Sequence, residues 1–160
     1  MRSIKSPTTV LYFTHIIVFC CLTGIDLASK YWALYQLQSS WVITSWLQFT
    51  FSLNCGIAFG LLSSCTLLGQ MMLGCMAIGI CIYLIQYHTQ SMSQKIATTF
   101  IISGAMGNVI SRALYQGVID FIGLHYQNLY WPTFNLADTW ICIGICLLIL
   151  SSPTSNKTRI

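Results

Sequence analysis

Four stretches of this 160-residue chain, near residues 9–31, 66–87, 96–115 and 137–152, are dominated by apolar side chains. A bilayer crossing takes about 20 such residues. In hydrocarbon each crossing must be helical, because no water is present to satisfy the backbone. Hydrophobic residues make up 56% of the chain and charged residues only 6%, whereas a soluble domain carries about a quarter charged. Mean hydropathy is +0.72. The expectation is one integral-membrane domain over 1–160, mainly α-helical, with four transmembrane helices. The fourth run is the shortest and begins at an Asp.

An even number of spans puts both termini on one side. That side holds Arg2, Lys5, Lys95, Lys157 and Arg159, while the other holds Lys30 and Arg112. By the positive-inside rule both termini are cytoplasmic, and segments 32–65 and 116–136 face outward. The first run resembles a signal peptide, but Val10–Leu27 is long, lacks an A-x-A cleavage site and precedes further spans. It is read as a retained helix. Trp32, Trp41, Trp46, Tyr126, Tyr130 and Trp131 lie in the outer segments, where aromatic rings anchor at the membrane–water interface.

Within the first outer segment, LQFTFSLN alternates Leu47, Phe49, Phe51 and Leu53 with Gln48, Thr50, Ser52 and Asn54. That period predicts a strand with one oily and one polar face, part of a small extracytoplasmic β-sheet. The net charge of +4 is dispersed along the chain, which gives nucleic-acid binding no support. Cys20, Cys21, Cys75, Cys81, Cys142 and Cys146 sit in apolar runs and are read as small hydrophobes filling helix interfaces. Cys55 and Cys65 lie near an aqueous boundary; their spacing permits a bond without requiring one, and no metal-ligand spacing occurs.

The chain has three acidic residues, and helical rise places all of them at one level. From Val10 to Asp26 is roughly 24 Å at about 1.5 Å per residue, which puts Asp26 near the outer end of the first helix. Lys30 follows one turn later, in the favourable acid-to-base order of an i,i+4 pair. Asn108 lies roughly 20 Å beyond Lys95, with Arg112 one turn further. Asp120 follows the third helix and Asp138 opens the fourth. Ionisable groups at such depth are functional-site candidates by default. Asp26 has a ready structural partner in Lys30. Asp120 has a possible partner in Arg112, and Asp138 suits a helix N-terminus. One arginine does not account for both of those acids.

Two carboxylates in a poorly hydrated site share a proton, because the second ionisation is disfavoured. The charged member then takes a proton from water while the neutral member donates a hydrogen bond to a scissile carbonyl, which is aspartic peptidase chemistry. No nucleophile–base pair competes: His15, His88 and His125 fall outside the polar clusters and are read as structural or solvated.

Five motifs occur in order. DLASK (26–30) resembles D-x-x-[ST]-K, and NCGIAFG (54–60) resembles N-x-G-x-A-F. SGAMGNVISR (103–112) resembles GGA-x-GN-x-x-DR, GVIDF (117–121) resembles G-x-V-x-DF, and FNLADT (134–139) resembles FN-x-AD. Together they are similar to the lipoprotein signal peptidases, or signal peptidase II, four-helix aspartic peptidases of bacterial inner membranes. The resemblance implies that Asp120 and Asp138 are the catalytic dyad and that Asn54, Asn108, Arg112 and Asn135 bind substrate or support the site. Asp26 and Lys30 are then a structural ion pair. It implies an outer-leaflet active site, a cradle-like sheet, diacylated prolipoprotein signal peptides as substrate, contact with membrane lipid, and a monomer with neither cofactor nor metal. Cleavage falls just before the lipidated cysteine. Ser111 stands where the family has Asp, and Ser103 where it has the first Gly. Glycines in SGAMG suit close helix packing.

Two other readings fit the topology. A quinone-linked thiol oxidoreductase would need cysteine pairs in the outer segments, and 116–136 has none. A proton- or ion-conducting bundle would place polar groups along its whole path, whereas the second helix carries almost none.

Overall fold

A computed structural model describes residues 7–56, 65–87 and 91–151, the side chains of 7–11 excepted. Arg2, Lys5, Lys157 and Arg159, His88, and positions 57–60 of the NCGIAFG motif lie outside the described residues. The described residues form four helices: α1 (Pro7–Gln36), α2 (Leu67–Tyr87), α3 (Met92–Tyr115) and α4 (Leu136–Ser151). Strands β1 (Trp41–Val42), β2 (Leu47–Asn54), β3 (Val118–Tyr126) and β4 (Leu129–Tyr130) form one antiparallel sheet in that order.

Helix α3 is the centre of the bundle and packs against each of the other three. It begins earlier than the expected 96 because Ser91 and Gln94 form a reciprocal capping box that satisfies two otherwise orphaned N–H groups. Its contact with α4 depends on glycine: a Cβ on Gly144 would lie 2.7 Å from the Ala97 carbonyl oxygen, and one on Gly104 would collide with the Ala137 carbonyl. Small residues here let the two backbones approach.

Residues Tyr12–Gln36 and Leu67–Tyr87 are each long and apolar enough to cross a membrane, and α4 is apolar but shorter. Helix α3 is long enough but too polar to pass the same measure, because it buries Thr98, Ser103, Asn108 and Ser111 inside the bundle. The outward surfaces are apolar, with Leu68, Met72 and Ile149 among the exposed side chains. Water would disfavour so large a greasy surface, and lipid does not. The free cysteines correct one expectation. Cys20, Cys21, Cys75, Cys142 and Cys146 are exposed rather than wedged between helices, and Cys81 is intermediate.

Helix α1 continues past residue 31 into what the sequence marks as outer segment. Its last turns and the residue that follows bury Ala33 and Leu37 against Ile119 and Phe121 of β3, with Trp32, Phe49 and Leu136 around them. Trp32 is edge-on to Trp41, Phe49 and Phe121 at centroid distances of 5.7, 5.8 and 6.2 Å. It therefore packs half-buried against the sheet, while Trp46, Tyr126, Tyr130 and Trp131 remain exposed.

Candidate active site

Three short pieces of chain are folded into one site. Helix α3 ends at Gln116, whose left-handed conformation (φ 55°) turns the chain into β3. Gly117 follows where a Cβ would sit 2.9 Å from the Leu53 side chain. Strand β3 then pairs with β2, and a register shift between Phe49 and Ser52 brings Ser52 opposite Asp120. Asn54, two residues on, shares that face with Asp120, as strand alternation requires. Beyond β4 the chain returns to β3: the N–H groups of Phe121 and Ile122 donate to the Phe134 carbonyl at 3.0 and 2.8 Å, and Phe134 N–H donates to the Ile122 carbonyl at 3.1 Å. This bridge sets Asn135 beside Asp120.

Asn135 and Asp138 open α4 as a reciprocal cap. Asp138 N–H donates to Asn135 Oδ1 at 3.0 Å, and Asn135 N–H donates to Asp138 Oδ2 at 3.2 Å. Asn135 Nδ2 also donates to Asp120 Oδ1 at 2.6 Å and to Asn108 Oδ1 at 3.3 Å. Asn54 Nδ2 donates to the other Asp120 oxygen at 3.0 Å, and Asn108 Nδ2 donates to Asp138 Oδ1 at 2.9 Å. Both carboxylates thus accept from neutral amides. Both also line a cleft of about 1100 Å³, with Ser52, Asn108, Arg112 and Phe134 in its wall.

The third acid, Asp26, lies behind this wall. Lys30 Nζ donates to Asp26 Oδ2 and to Asn108 Oδ1, each at 2.7 Å, and Ala137 N–H donates to Asp26 Oδ1 at 2.8 Å. Asn108 therefore joins the ion pair to the cleft. Gly107 leaves room for Asp26, which a Cβ there would strike.

Asp120 is 2% exposed. Burial pushes its carboxyl up to about 6, and the negative charge of Asp138 adds to that rise against the opposing donors Asn54 and Asn135. Two carboxyls so held suit the activation of a water molecule, one bearing a proton and the other a charge.

All eight polar residues singled out from the sequence fall in this one network. Arg112 does not pair with Asp120, however: its Nη2 donates to the Gly56 carbonyl at 3.0 Å and its Nη1 to the Asn108 carbonyl at 3.4 Å. Both contacts are to backbone at the cleft wall. His15 lies 3.0 Å from Thr99 Oγ1, and His125 stacks on Tyr130 at 5.5 Å, both away from the carboxylates. Ser103 Oγ donates back to the Thr99 carbonyl at 2.6 Å, so a hydroxyl is accommodated where the resemblance has glycine. Ser111 Oγ donates to the Gly117 carbonyl at 3.0 Å and accepts from Ile119 N–H at 3.2 Å, fastening the start of β3.

Sequence reasoning overlooked Gln70, buried on α2, whose Nε2 donates to the Cys55 carbonyl at 2.7 Å. An amide in the first turn of a span that is apolar from there to Gln86 was the available signal. Cys55 and Cys65 are joined as a disulfide with a Cα–Cα distance of 4.9 Å.

A family model described as "Signal peptidase (SPase) II" matches residues 17–154. The lipoprotein signal peptidase of Clostridium novyi is 37% identical over 139 residues, covering 84% of this chain and 93% of its own. That of Polynucleobacter necessarius is 35% identical over 150 residues, covering 91% and 90%. A bacterial membrane enzyme solved by the in meso method at 2.3 Å resolution superposes with a TM-score of 0.78 at 29% identity, covering 92% of this chain and 93% of that one.

Proposed function

Since the chain belongs to the signal peptidase II family, we propose that Asp120 and Asp138 form the dyad by which it cleaves its substrate. The chain is a membrane-bound aspartic peptidase that removes signal peptides from prolipoproteins. Asp120, the carboxyl held up to about 6, bears the shared proton. Asp138 bears the charge and takes a proton from water as the water attacks the scissile carbonyl. Asp120 donates its hydrogen bond to that carbonyl oxygen, and the proton gained by Asp138 passes to the leaving amine. Asn54, Asn108 and Asn135 orient the two carboxylates. Arg112 fixes the Gly56 backbone at the cleft, where a substrate carbonyl meets it.

The membrane arrangement follows from the same reading. Four spans place both termini in the cytoplasm and the cleft at the outer leaflet of the bacterial inner membrane. A diacylated signal peptide enters from lipid as a monomeric enzyme's substrate, with the bond before its lipidated cysteine at the level where water reaches the dyad. No metal or redox cofactor takes part in this scheme.

One observation carries the assignment: two carboxylates open on a single cleft, each accepting only neutral amides, with Asn135 bonded to both. The test is cleavage of a diacylated prolipoprotein by purified wild type, Asp120→Asn and Asp138→Asn. The wild type is expected to release the signal peptide, and each variant to fold but lose turnover. Substantial cleavage by either variant overturns the dyad.

A further inference from the structure

The geometry points to the Cys55–Cys65 disulfide as a redox-dependent positioning device for the cleft: the bond holds the Asn54–Gly56 turn in register, and its reduction by a dithiol lowers turnover. This rests on the reading of Asp120 as catalytic.

The turn is where three site contacts meet. Asn54 donates to Asp120, and Gly56 N–H donates to Asn54 Oδ1 at 2.9 Å, so the amide that reaches the carboxylate is itself oriented by the next turn of backbone. The Gly56 carbonyl accepts Arg112. Cys55 lies between these two residues, and its carbonyl accepts Gln70. Its sulfur is bonded to Cys65, which stands just before α2. The end of β2 is thus tied to the start of α2 twice, once through Gln70 and once covalently. Breaking the covalent tie leaves, among the described residues, the Gln70 hydrogen bond from the turn to α2, so the turn can shift relative to that helix and carry Asn54 with it.

The bond is open to exchange. Cys65 is exposed whereas Cys55 is buried, so a thiolate attacks at the Cys65 sulfur. In the full step a dithiol passes two electrons and two protons to the cystine, which becomes two thiols while the dithiol closes to its own disulfide. The other six cysteines are free, so this is the bond that a dithiol would cut. Position 55 falls at the unspecified place in N-x-G-x-A-F, so the device belongs to this chain rather than to the motif. An outward-facing location, as proposed above, keeps such a bond oxidised.

The experiment compares the full-length enzyme before and after treatment with dithiothreitol, with two new thiols confirmed by labelling and with diacylated prolipoprotein as substrate. Reduction is expected to lower kcat roughly tenfold with KM little changed, as slight misplacement of a catalytic group does. Reoxidation should restore it. Cys65→Ser should match the reduced wild type and no longer respond to dithiothreitol. Asn54→Ala should cost less in that background than in the oxidised wild type, because both changes act on the same amide. Reversible reduction of the folded wild type keeps the test valid if Cys65→Ser fails to fold. Unchanged kcat after verified reduction, or additive effects of Asn54→Ala and Cys65→Ser, overturns the inference. Failure of the oxidised enzyme to cleave at all overturns the proposed function instead.

Discussion

Asp26 and Asp138 both touch the neighbourhood of Asn108, yet they sit in opposite surroundings. Asp26 is fully buried, with an ammonium on one oxygen and a backbone N–H on the other. Asp138 accepts an amide side chain and a backbone N–H, and it faces a cleft. The same side chain is structural where its charge is neutralised on the spot and available for chemistry where only neutral dipoles hold it. Asn108 divides the two: its carbonyl faces Lys30 and its amine faces Asp138. That orientation is forced, since an ammonium cannot accept and a carboxylate cannot donate.

The largest effect that breaks this contrast is loss of a cleft carboxyl. Asp120→Asn or Asp138→Asn should lower kcat by about 10⁴-fold, the upper range for loss of general acid–base catalysis. Melting of the variants in detergent should show little loss of fold. On the other side of Asn108 the ordering reverses. Lys30→Met leaves Asp26 unpaired and should destabilise the protein by about 3–5 kcal/mol, as removal of one partner from a buried ion pair does. The double variant Asp26→Leu/Lys30→Met should be markedly more stable than Lys30→Met alone. Equal destabilisation by the single and the double change would mean that the pair is held by something other than its own charges.

Titration sharpens the comparison at a smaller scale. Asp120 keeps its proton in the folded protein up to about 6, whereas its ordinary value is 3.8. Between those two values the folded state binds a proton that the unfolded state has released, so stability falls as pH rises through that window and is then level with respect to this group. The interval corresponds to roughly 3 kcal/mol. Asp120→Asn should flatten the slope, a change readable from denaturation midpoints between pH 4 and pH 7. In the wild type, kcat/KM should decline as pH rises past about 6, because the dyad then loses its shared proton.

The helices and the polar level were legible because both follow from simple repeats. Long apolar runs have one solution in lipid, and 1.5 Å per residue places Asp26, Asn108 and Arg112 at a common depth. Strand β2 announced itself by alternation. Strand β3 did not, and 116–136 reads from sequence as a loop. Val118, Ile119, Asp120 and Phe121 are all buried, so both faces of the strand are covered and no period of two appears. Partner choice was the other hidden quantity. Asn54 meets Asp120 across 66 positions and Asp26 meets Ala137 across 111, distances that no local pattern encodes. Arg112 looked like a partner for an acid, but α3 points it at a backbone carbonyl in another segment.

The smallest expected effect concerns Ser111, which has no charge and no place on the cleft wall. Its hydroxyl both donates to Gly117 and accepts from Ile119, closing the turn that launches β3 two residues before Asp120. Ser111→Ala leaves the buried Ile119 N–H without an acceptor and should cost about 1–3 kcal/mol. Ser111→Thr keeps both bonds and should recover most of that loss. Ser111→Asp restores the residue that the motif resemblance expects. An ionised carboxylate still accepts from Ile119, but it cannot donate to the Gly117 carbonyl, and Arg112 is already engaged with Gly56 and Asn108. Ser111→Asp should therefore be no more active than the wild type, and Asn54 is the gauge of any effect on Arg112. If the aspartate draws Arg112 away from Gly56, the Asn54 turn loosens and kcat falls with it. A rise in kcat would show instead that Ser111 holds Asp120 short of its best position, and that the serine trades rate for a firmer turn.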